Sequence, residues 1–186
     1  IDIPQGVRHP LPPARAIDGY TFPAAYFDGE GGVSVSMVVR RDWSTTAGLQ
    51  VACERLREQL RIRDGAVYEI MDYYQPISLD EGFVAIGAVC REKHYELVTE
   101  RISGVLEDLA ANGPTQQELS EFITGVHRRI DEDSERTRSD LDAEVFYELF
   151  GDKEDGAAKL ARLDALTIDD VRETFAAAMP TLLLLA

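Results

Sequence analysis

The sequence is poor in the residues that most enzymes use for covalent or metal chemistry: its 186 positions hold two cysteines and three histidines. Cys53 and Cys90 form no Cys-x-x-Cys, and each sits inside an apolar pattern. A disulfide framework and a zinc knuckle are therefore not expected, and buried, reduced thiols in an intracellular, cytoplasmic protein are. His9, His94 and His127 are scattered, with no His-x-x-His, His-Glu-x-x-His or His-x-x-Glu-His, so no two imidazoles share a helix face and each reads as a solvated polar residue. There is no Gly-x-Ser-x-Gly elbow, and Gly29-Glu30-Gly31-Gly32 precedes a strand instead of joining a strand to a helix, which predicts a turn and not a phosphate loop. Autonomous nucleophilic or metal catalysis by this chain is not expected. Positive charge is also in deficit. Nineteen Lys plus Arg against 34 Asp plus Glu leave a formal charge of −15, which repels nucleic-acid phosphates and anionic lipid. No apolar run is long enough for a membrane span, because the longest, Phe175 to Met179 and Leu182 to Ala186, is split by Pro180.

What is present is ordinary globular material. A composition of 45% hydrophobic and 28% charged residues supports a real core, with about 70% of the unfolded surface buried at this length. Residues 9–15 carry Pro10, Pro12 and Pro13, too stiff for a helix or central strand. This predicts a linker or tail over residues 1–19, following an upstream domain, and a single domain over residues 20–186.

Within that domain, Val33, Val35, Met37 and Val39 alternate with Ser34, Ser36 and Val38, a period-2 strand; Tyr20 to Phe27 is a weaker strand broken by Pro23. Leu49, Cys53, Leu56 and Leu60 recur at helical spacing, predicting an amphipathic helix over 45–63, capped by Ser44 and stopped at Asp64-Gly65. Residues 66–74 and 82–91 read as a hairpin with a long loop around Pro76. A second stripe from Leu97 to Leu109 ends at Asn112-Gly113-Pro114. Thr115 and Glu118 then form a capping box for a helix with Leu119, Phe122, Ile123, Val126 and Ile130 on one face. Residues 131–158 are expected to hold a further helix and a loop around 151–156. Thr167 and Asp170 cap a last helix to about Ala178, and Thr181 to Ala186 reads as a buried strand. Strands grouped with helices and no βαβ alternation predict an α+β domain of two layers, a mainly antiparallel sheet packed on helices.

One segment could carry chemistry. From Arg55 to Tyr68 a basic helix end turns through Gly65 into a strand bearing a tyrosine, and Arg61 and Tyr68 could both donate to one carbonyl oxygen. From spacing alone, the same residues read more simply as a basic last turn complementing the helix dipole and a tyrosine covering the sheet.

The pattern Arg55-Leu56, Leu60-Arg61, Gly65, Tyr68 resembles the helix-turn-strand segment of the zinc-free, C-terminal domains of the inverzincin metallopeptidases, the pitrilysin, insulinase and mitochondrial processing peptidase family. Asn112-Gly113-Pro114-Thr115-Gln116-Gln117-Glu118-Leu119 is similar to that family's Gly-Pro-Thr-x-x-Glu-Leu junction. Leu166-Thr167-Ile168-Asp169-Asp170-Val171 is similar to its late Val-Thr-x-x-Asp-Val helix start, and Leu182 to Leu185 falls where that domain ends in a strand. The chain departs from the family in having Gly65-Ala66-Val67-Tyr68 for the usual Gly-Leu-Ala-Tyr, and Asp64 where a basic or polar residue is common.

The resemblance implies a peptidase-like half-domain that closes a substrate chamber and orients a peptide or unfolded polypeptide, with Arg61 and Tyr68 as the substrate-binding pair. It implies no catalytic residue, metal ligand or cofactor in this chain. Zinc is expected in a homologous peptidase domain or subunit that acts as its partner. The alternative is a catalytically inactive homologue serving as a structural or regulatory subunit. Elemental analysis of the purified, dialysed chain is expected to find no stoichiometric zinc; one tightly held zinc per chain would overturn this reading.

Overall fold

In the computed structural model, residues 21–26, 31–132 and 156–186 are described. The strands are β1 (Ala24–Tyr26), β2 (Gly32–Arg40), β3 (Val67–Pro76), β4 (Glu81–Cys90) and β5 (Leu183–Leu185). The helices are α1 (Trp43–Leu56), α2 (Tyr95–Asn112), α3 (Gln116–Glu132), α4 (Gly156–Asp164) and α5 (Ile168–Ala178). The strands form one sheet in the order β1-β5-β2-β4-β3, antiparallel except for the parallel pair β1 and β5. The expected linker at residues 9–15 and the expected loop at 151–156 lie outside the described residues, apart from Gly156, which opens α4.

Alternation decides which face of the sheet is covered. Val33, Val35, Met37 and Val39 of β2, with Val84, Ile86, Ala88 and Cys90 of β4, are buried on one face, where the helices pack. The residues between them are only partly buried, and no described element covers that second face. The α+β, two-layer expectation holds. The terminal strand differs from its expected full burial: Leu184 faces the helices, but Leu185 is 44% exposed on the open side. A continuous apolar run cannot be buried on both faces when only one face has a cover.

Helix α1 begins two residues earlier than its pattern predicts. Its cap is Asp42 and not Ser44: Asp42 Oδ1 accepts from the backbone N–H groups of Ser44 (3.0 Å) and Thr45 (3.3 Å). Ser44 is buried instead, its hydroxyl 2.6 Å from that of Thr174 on α5, so tertiary contact removes it from the capping role. The β3–β4 loop is shorter than expected, because Pro76 still pairs with Gly82 at the sheet edge, where a missing N–H is tolerated. The two capping boxes form as expected, Thr115 with Glu118 and Thr167 with Asp170. Ile130 departs from its predicted apolar face and is 42% exposed.

Gly48 sets the distance between α1 and α5. A Cβ there would lie 2.1 Å from Cε2 of Phe175, whose ring is fully buried and has no room to withdraw. Replacing Gly48 by Ala gains roughly 1 kcal/mol of helix propensity but overpacks the core, which typically costs about 1–3 kcal/mol. Gly48→Ala is therefore expected to lower the urea midpoint, and Phe175→Leu in the same background is expected to recover part of the loss; a variant more stable than the parent would refute this close packing.

Candidate functional site

The segment from Arg55 to Tyr68 divides into a structural half and an exposed half. Leu56 and Leu60 are fully buried and hold the helix on the core. Arg55 projects from the opposite side as a fork: Nε and Nη2 donate to the two carboxylate oxygens of Glu118 (2.7 and 2.8 Å), and Nη1 donates to Asp108 (2.7 Å). Because Glu118 also accepts the N–H of Thr115 at 2.7 Å, one guanidinium clasps α1 to the ends of α2 and α3. Gly113, at φ +73°, ends α2 against Ile168. The sequence motifs around Arg55, Gly113 to Glu118 and Thr167 to Asp170 thus meet in space, and their task is packing.

Beyond Leu56 the helix widens. Residues Arg57–Arg63 form a π-helical turn, with Asp64 N–H donating to the carbonyl of Gln59 (3.0 Å) and Ala66 N–H to that of Leu60 (2.8 Å). Gly65, at φ +60°, then reverses the chain into β3, a conformation that L side chains adopt only under strain. The expected helix over 45–63 is therefore present, but its last seven residues are π and not α; the wider turn adds a residue per bond and swings Arg61, Ile62 and Arg63 outward, leaving Ile62 71% exposed.

Charge at this junction is unevenly partnered. Arg63 pairs with Asp64 (3.1 Å), which also faces Arg101 (3.6 Å), and Arg57 lies 3.7 Å from Asp72. Arg61 is exposed and has no hydrogen bond or ion pair among the described residues.

Tyr68 follows on β3, where Val67 pairs with Cys90 and Glu69 pairs with Val89, so Tyr68 is the extra residue of a bulge. Its ring is 59% exposed. Its partner is Arg91, just past the end of β4: Arg91 Nε donates to the phenolic oxygen at 2.8 Å, and the guanidinium carbon lies 5.9 Å from the ring centroid. Tyr68 is therefore engaged by Arg91 and not by Arg61. Sequence reasoning missed Arg91 because the signal is a register, not a motif. Only the pairing of residue 67 with residue 90 brings position 91 beside position 68.

Of the remaining candidates for chemistry, His9 lies outside the described residues. Burial and the neighbouring carboxylate of Asp72 push the Cys53 thiol up to about 12, and burial also raises that of Cys90, so neither is a thiolate at neutral pH. His127 Nε2 sits 2.7 Å from Asp164, a surface pair between α3 and α4. Among the described residues no group of three or more His, Cys, Asp or Glu is placed to hold a metal, and no helix is long and apolar enough to cross a membrane.

The Arg55 clasp gives an acid-stability prediction. The Arg55 guanidinium, followed by the hydrogen bonds from Thr115, holds the Glu118 carboxyl down to about 2 from its ordinary 4.5. The stability this supplies is fully present above pH 4.5 and is lost as pH falls towards 2. Glu118→Gln is expected to be less stable at pH 7 and to show a shallower decline over that window, so that urea midpoints of variant and parent converge at low pH. Parallel curves would refute it.

The family model for the peptidase M16 inactive domain matches residues 31–126. No protein of curated function matches the sequence. Among solved structures, the peptidase M16 inactive domain from Pseudomonas fluorescens superposes with a TM-score of 0.64 at 16% identity, over 87% of this chain and 42% of that one. The periplasmic protease PqqL from Escherichia coli gives 0.67 at 15% identity, over 96% and 22%. A protease from Helicobacter pylori gives 0.68 at 13% identity, over 87% and 43%. Identities this low show a shared fold, and the chain spans less than half the length of each of these proteins.

Proposed function

The chain belongs to the family of peptidase M16 inactive domains, and on that premise we propose that it closes the substrate chamber of a zinc peptidase and orients peptide through Arg61 and Tyr68. The observation that carries the reading is that one strand, β3, bears both the exposed Tyr68 and the uncovered Met71 and Tyr73, and follows directly on the helix end that carries the exposed Arg61. The open face presents Met71, Tyr73 and Phe83, with the rings of Tyr73 and Phe83 packed edge to face at 6.3 Å, apolar enough to lie against an extended chain. Ahead of these residues in the chain, the exposed guanidinium of Arg61 and the exposed phenol of Tyr68 are donors without a carboxylate to satisfy them among the described residues. Donors left free at a surface suit a carbonyl oxygen, and suit still better the oxyanion it becomes.

In this scheme zinc, held by another domain or subunit, supplies the activated water. The contribution of this chain is to bind and aim. Its matches among solved structures include proteins described as proteases, which supports placing the domain within a peptidase.

Arg61→Ala and Tyr68→Phe, made in the full-length protein, are expected to lower kcat by about 10²–10³-fold, the usual effect of losing one oxyanion donor. Thermal stability should be unchanged, because both side chains are exposed. Unchanged turnover in both variants would instead identify the domain as a structural or regulatory homologue.

A further inference from the structure

We propose that Arg91 is a positioning residue for Tyr68, holding the phenolic proton outward as a donor to the bound peptide. The inference rests on the orienting role proposed above for Tyr68 and adds to it the residue that makes that role possible.

The direction of the Arg91–Tyr68 bond admits one assignment. A guanidinium has five N–H donors and no acceptor, so at 2.8 Å from Arg91 Nε the phenolic oxygen must accept. One of its lone pairs is then occupied on the Arg91 side, and its own O–H is turned away from the positive charge. A free tyrosine hydroxyl rotates and can offer either a lone pair or a proton; beside Arg91 it offers a proton. The adjacent cation also polarises the O–H, which strengthens it as a donor.

The fold holds this pair in place. The bulge at Tyr68 re-aims the ring off the regular pleat. Arg91 is fixed through its neighbours: Cys90 pairs with Val67, and the Arg91 carbonyl accepts from the N–H of His94 at 2.8 Å as the chain turns towards α2. Arg91 has no carboxylate partner among the described residues, so its side chain is not drawn elsewhere. It therefore brings an unneutralised guanidinium to the phenol, on a chain whose formal charge is −15. A site of that sign suits the electron-rich oxygen of a peptide carbonyl.

The test uses the full-length protein with reduced, carboxymethylated casein as the probe substrate, and compares Arg91→Met, Arg91→Lys, Tyr68→Phe and the double variant Arg91→Met/Tyr68→Phe. Arg91→Met is expected to lower kcat by roughly tenfold or more, the weight of a hydrogen bond to a charged group, with a smaller change in KM. Arg91→Lys, which can still donate, should recover part of the loss. The double variant should be no worse than Tyr68→Phe alone, since a positioning residue has nothing left to position. In parallel, in protein labelled with ¹³C at tyrosine Cζ, the Tyr68 resonance should shift in Arg91→Met and stay close to its native position in Arg91→Lys. If Tyr68→Phe leaves kcat unchanged, the orienting role itself fails and this inference goes with it. If Tyr68→Phe is impaired while Arg91→Met is not, or the two losses multiply in the double variant, or the Tyr68 resonance does not move, the assignment of Arg91 alone is overturned.

Discussion

The antiparallel register of β2, β4 and β3 is the constraint on which the rest of this domain depends. Ser34 opposite Gly87, and Gly87 opposite Met71, place every second side chain of three strands on the same side. A slip of one residue would send Val33, Val35, Met37 and Val39 to the open face and leave the helix layer without a floor. Through one bulge the same register brings position 91 beside Tyr68. Core and candidate site are therefore read from a single pairing.

The helices of the layer above that sheet are fastened to one another by two different kinds of contact. One is close approach, where Gly48 lets α1 lie directly on the ring of Phe175. The other is the fork of Arg55 on Glu118 and Asp108, partly shielded and bidentate, a geometry in which a guanidinium is more than a surface ion pair. Fixing the body of α1 this firmly allows its end to depart from α-helical form. The π-helical turn at Arg57–Arg63 is tolerated because Leu60 remains buried while its neighbours are released to solvent.

The electrostatics of the junction run against those of the chain. Most basic side chains near it are matched, Arg55 by Glu118 and Asp108, Arg57 by Asp72 and Arg63 by Asp64. Arg61 and Arg91 are not matched by a carboxylate among the described residues, and they stand on either side of Tyr68 in the sequence. Arg91 thus meets Tyr68 with its charge uncompensated among the described residues, in a chain with a large acid excess.

By itself, the sequence determined whatever is encoded within a few residues. The alternation of Val33 to Val39, the stripes of α1 and α2, the capping boxes at Thr115 and Thr167, and the turn glycines at 65 and 113 are local signals, and they were enough for the α+β class, the helix layer and the turn at Gly65 into β3. Arg61 and Tyr68 were legible as candidates because they flank one such signal, Gly65. The tertiary structure alone decided the exchange of caps from Ser44 to Asp42, since Thr174 lies 130 positions away. It also decided the clasp of Arg55 on Glu118, the half-exposed terminal strand, and Arg91 as the partner of Tyr68. Each of these depends on which distant residue the register and the packing bring near, and a side chain has no means of specifying that from its immediate neighbours.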